Sequence, residues 1–86
     1  MNINELISIV KKKLQSQINI EIIKVEDKSF LHKNHAGNQK DKFHLKIQIT
    51  SKELNKMSKI DSSKIIYKIL DNEMKNFIHS LQILIK

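Results

Sequence analysis

The chain has 86 residues, 40% of them apolar and 29% charged, a balance that suits one soluble domain, 1–86, with a single modest core. It has no Cys, which excludes a disulfide framework, a thiolate metal site and a thiol nucleophile. The net charge is +7 and all 16 basic residues are Lys, so the planar Arg fork that reads guanine or phosphate is missing.

That charge reads first as a solvated, functionally neutral surface. Second comes a weak nucleic-acid footprint, and third an acidic protein partner. No apolar run approaches the ~18 residues of a transmembrane helix. The N-terminus reads directly as a helix and not as a basic-then-apolar leader, so a cytoplasmic protein without membrane attachment is expected.

Residues 2 to 17 carry the first helix. Asn2 is a candidate cap, and Glu5, three positions on, completes a capping box. Ile3, Leu6, Ile7, Val10 and Leu14 form one apolar stripe. Lys11, Lys12 and Lys13 fall in the second half, where cations suit the negative end of the helix dipole.

Ile18 to Val25 is rich in β-branched residues and predicts a strand. Its alternation slips at Ile22-Ile23, through either a bulge or burial on both faces. Glu26 to Lys42 is polar, lacks a sustained period and holds the only Gly, Gly37. A connection of that length in so small a domain suggests a functional loop.

Phe43 to Thr50 is the clearest strand. Phe43, Leu45, Ile47 and Ile49 face one way, and His44, Lys46, Gln48 and Thr50 the other. It should pair antiparallel with the first strand as a hairpin. Ser51 to Lys59 predicts an irregular turn or a short helix anchored by Leu54 and Met57. Asp61 or Ser62 then caps a long helix with Ile65, Ile66, Ile69, Leu70, Met74 and Phe77 on its apolar face. A third strand starts at Ile78, with Leu81, Ile83 and Ile85 on the apolar side and His79 opening that side. The expected fold is therefore α-β-β-α-β: an α+β, two-layer domain with three strands and both helices on one face of the sheet.

Catalysis finds no support. There is no Ser-His-acid set, no metalloprotease or calcium-loop spacing, and one Gly cannot build a phosphate-cradling loop, so the chain is not expected to be an enzyme. The histidines carry what chemistry there is. His44, on the polar face of a regular strand, should be exposed. His32 and His35 share the polar loop, where solvated histidines are the ordinary case. His79 reads equally as a ligand or as a hydrogen-bonded edge residue. Imidazoles from a loop and a strand, without Cys, supply only part of a four-coordinate site. If they bind metal, they form half of a site shared with a partner.

Val25-Glu26-Asp27-Lys28-Ser29 leads into His32 and His35-Ala36-Gly37. His44 then begins an alternating strand that ends in Ser51, followed by Ile66-Tyr67, Leu70 and Ile78-His79-Ser80-Leu81. In this order and spacing the sequence resembles the BolA family across roughly residues 3 to 85. The family pattern has an acidic-x-Ser turn, a His-bearing loop, a His-Phe strand start, a Val/Ile-Tyr helix and a Val/Ile-His-Ala-Leu strand.

The resemblance implies a topology similar to class II KH domains. It also implies a monothiol glutaredoxin partner, bound as a heterodimer by a chain that is monomeric alone. A [2Fe–2S] cluster would be shared with that partner and its glutathione, with none held by the isolated chain. His79 would be the principal ligand and His32 the second, with His35 as the alternate loop ligand. The second functional expectation is a KH-like nucleic-acid-binding transcriptional regulator. Departures from the pattern are Leu54-Asn55-Lys56 for Phe-x-Gly, Ser62-Ser63-Lys64 for a basic Arg-His-Arg run, and Leu45 after His44. The lost basic run weakens the nucleic-acid expectation.

Overall fold

A computed structural model describes residues 1–29 and 42–86. The elements run α1 (Ile3–Gln17), β1 (Ile22–Asp27), β2 (Phe43–Thr50), α2 (Lys52–Asn55), α3 (Lys59–Ile69), α4 (Asp71–Asn76) and β3 (Ile78–Ile85). β2 is central: it pairs antiparallel with β1 and parallel with β3. A parallel neighbour needs a crossover, which α2 to α4 provide. The result is the expected α+β fold, with helices packed against a three-stranded mixed sheet.

The core lies between the sheet and the helices. Leu6, Val10 and Leu14 of α1 and Ile66 of α3 meet Val25, Leu45, Ile47 and Ile49 of the sheet. The α1 start is as expected: Asn2 Oδ1 accepts from Glu5 N at 2.9 Å, and Asn2 Nδ2 donates to Glu5 Oε1 at 3.0 Å. The helix runs on past Lys11–Lys13, leaving no basic residue in its last turn, so the dipole account of that run is not what the fold uses.

Three boundaries differ from expectation. β1 starts at Ile22, because Ile18 caps α1 and packs into the core ahead of the strand. The slip at Ile22-Ile23 is therefore no bulge: Ile23 and Val25 face the core, while Ile22 points outward and is 65% exposed. The cap of α3 is Ser58, whose Oγ accepts from Asp61 N at 3.1 Å. Ser62 instead lies buried, and its Oγ donates to Lys59 O. The predicted long helix is two, broken at Leu70 (φ −95°, ψ 17°). No helix among the described residues is long and apolar enough to cross a membrane.

Candidate metal-ligating site

The site is built where β1 ends and β2 and β3 begin. Asp27 Oδ1 accepts from Ser29 N at 2.9 Å, closing a turn of the kind Asp side chains favour. That turn sets Ser29 Oγ to accept from His44 N at 3.1 Å, while Lys28 N donates to His44 O at 2.7 Å. Across β2, Phe43 N donates to Phe77 O at 2.9 Å, which docks the α4–β3 junction beside the start of β2.

The β2–β3 ladder slips at this point. Phe43 faces Ile78, but His44 faces Ser80, so His79 is an extra residue without a counterpart on β2. An extra residue shifts the side-chain parity locally. Ile78 is accordingly buried, His79 and Ser80 are exposed, and regular alternation resumes at Leu81. His79 thus does not open the apolar side of the strand as its parity suggested. Its ring lies against that of His44, with centroids 4.9 Å apart and planes at 57°.

His44 also departs from expectation. It sits on the outward face with Lys46, Gln48 and Thr50, all half-buried, yet it is only 5% exposed. Burial of an imidazole needs polar partners. One is Ser80: His44 Nδ1 and Ser80 Oγ share a hydrogen bond of 2.7 Å, its direction set by the imidazole tautomer. Ser80 and the buried state of His44 were invisible to sequence reasoning. The signal was two polar residues in register across parallel strands, and it can be read only once the slip is known.

Nearby on β1, Glu26 bridges Lys28 at 2.7 Å and Lys24 at 3.1 Å. Hydrogen bonds from Lys28 and then Lys24 hold its carboxyl at about 2, well below the usual 4.5. Glu26 is thus an ionised carboxylate engaged by two lysines beside the site. His32 and His35 lie outside the described residues. The residues flanking their segment, Ser29 and Lys42–Phe43, stand at the sheet end that carries His79. Among the described residues no group of three or more His, Asp or Glu side chains is placed to hold a metal. His79 is the exposed imidazole among the described residues at this end of the sheet, and one imidazole suits a shared site without closing one.

Comparison with known proteins gives a consistent answer. The family model for BolA-like protein matches residues 14–86. "Protein BOLA1, chloroplastic" of Arabidopsis thaliana is 29% identical over 80 residues, covering 90% of this chain and 50% of that protein. "DNA-binding transcriptional regulator BolA" of Haemophilus influenzae is 27% identical over 73 residues, covering 85% of this chain and 68% of the relative. The chain thus spans only half the length of the Arabidopsis relative. Among solved structures, the BolA domain of SufE1 from A. thaliana superposes with a TM-score of 0.77 at 28% identity, covering 92% of this chain and 87% of that one. By sequence and by fold, the chain belongs to the BolA-like protein family.

Proposed function

We propose that this chain is a BolA-like iron–sulfur adaptor. It binds a monothiol glutaredoxin and shares a [2Fe–2S] cluster with it, for assembly, transfer or iron sensing. His79 is the principal ligand from this side, and the loop contributes His32, or His35 in its place. The observation that carries the reading is the exposed imidazole of His79, set by the register slip at the sheet end where both flanks of the histidine-bearing segment are anchored. With no Cys in the chain, the remaining ligands come from the glutaredoxin Cys and glutathione. Imidazole in place of thiolate leaves a cluster less negative, raises its potential and makes ligation sensitive to pH. The role is binding and not catalysis.

Mixing the chain with a glutathione-loaded monothiol glutaredoxin should alter the visible circular dichroism of the cluster, and His79→Ala should abolish the change. An unchanged spectrum with the native chain, or one indifferent to His79→Ala, removes the metal role. A second reading is a KH-like nucleic-acid-binding transcriptional regulator. It is supported by the +7 charge and by the name of the H. influenzae relative.

A further inference from the structure

We propose that His44 is a positioning residue for His79 and acts through Ser80, an inference that rests on His79 being the ligand. An extra residue in a ladder has no cross-strand counterpart to fix it. An exposed imidazole there loses rotamer freedom whenever it must hold a metal, and a neighbour that orients it beforehand lowers that cost. His79 has such a neighbour in the His44 ring, 4.9 Å away centroid to centroid.

His44 is itself held on three sides. Its main chain takes hydrogen bonds from both directions of the turn after β1, N to Ser29 Oγ and O from Lys28 N. Its Nδ1 is tied to Ser80 Oγ at 2.7 Å. The Ser80 tie also fixes the residue directly after His79, on the far side of the slip. One residue of the central strand therefore joins two places: its main chain holds the turn after β1, and its buried imidazole holds the strand that presents His79.

A merely structural His44, satisfied by Ser80 for the sake of burial, would leave His79 and its ligation unaffected. Ser80→Ala and Ser80→Thr separate the two roles while leaving the His44 side chain in the sequence and changing only the hydroxyl that ties it. Alanine deletes the hydroxyl, whereas threonine restores it on a β-branched residue suited to a strand. The first measurement is on the isolated full chain: NMR ring order of His79 and ring-proton contacts between His44 and His79. Ser80→Ala should lower that order and weaken those contacts, and Ser80→Thr should restore both.

The second measurement is the apparent affinity for cluster-loaded glutaredoxin, read by visible circular dichroism. Ser80→Ala should weaken it about 10-fold or more, as losses of supporting contacts to ligands do, with recovery in Ser80→Thr. Unchanged ring order in Ser80→Ala overturns the proposal, and so does lost order with unchanged affinity. Should the native chain form no mixed-ligand cluster, the adaptor reading fails by itself. The ring comparison in the isolated chain then still decides whether Ser80 and His44 orient His79.

Discussion

Glu73 brings a carboxylate into the contact of α4 with α1 at 3% exposure, where Lys13 Nζ stands 2.8 Å from Oε2 and 2.9 Å from Oε1. Burial alone would raise its pKa. The Lys13 hydrogen bond, the residue's own backbone N–H, the Lys13 charge and Asn72 outweigh burial and hold it below the usual 4.5. A folded value below the unfolded one means the stabilisation is complete above the unfolded pKa and is lost as pH falls through the folded pKa. Lys13→Met strands a buried carboxylate and should cost about 2 kcal/mol in urea unfolding at neutral pH. Glu73→Gln should cost less, because the Lys13 side chain is 42% exposed and can turn into water. The penalty of Lys13→Met should shrink once the medium is acid enough to protonate Glu73. Equal penalties for the two variants, or no change with pH, would contradict this account. The partner of Lys13 lies 60 residues away. The sequence therefore displays the lysine run while hiding its use.

At the scale of elements, Ser51 joins three of them. Its Oγ accepts from Leu54 N at 3.1 Å as the cap of α2 and donates to Asn19 O at 2.8 Å in the α1–β1 connection. Ser51→Ala removes the cap and leaves the Asn19 carbonyl without that donor, for a loss of about 1–2 kcal/mol. Thermal unfolding should register it as roughly 4–8 °C per kcal/mol for a domain of this size. A shift within error would mean that water replaces both bonds. Elements whose signal is local were legible beforehand. The Asn2–Glu5 capping box, the α1 stripe, the alternation of β2 and the start of β3 at Ile78 all survive. What failed depended on partners distant in sequence. Ile18 resembles a strand residue until α1 is seen to end on it. Ser58 is a cap with no apolar stripe at once behind it, since Ile60 is 68% exposed. The break at Leu70 has neither Gly nor Pro to announce it. The register slip at His79 exists only in the pairing with β2, so the ligand was legible as a residue type while its orientation was not.

For the whole molecule, the open question is what a net charge of +7 attracts. Lys13, Lys24, Lys28 and Lys75 pair with Glu73, Glu26 and Asp71, which ties four cations to three acids. The outward sheet face carries Lys24, Lys46, Gln48, Thr50 and Gln82 and, among the described residues, no Phe, Tyr or Trp on which a base would stack. With Lys as the only basic residue, attraction to phosphate is present but the planar Arg fork for guanine edges is not. A gel shift should therefore give weak complexes near 50 mM salt that disappear by about 200 mM, as counterion release dictates. Scrambled and native-like duplexes should behave alike. A complex that survives about 200 mM salt and discriminates between sequences would be more than lysine charge provides. It would make the regulator reading the better one, and His79→Ala, which removes no lysine charge, should then leave that binding intact.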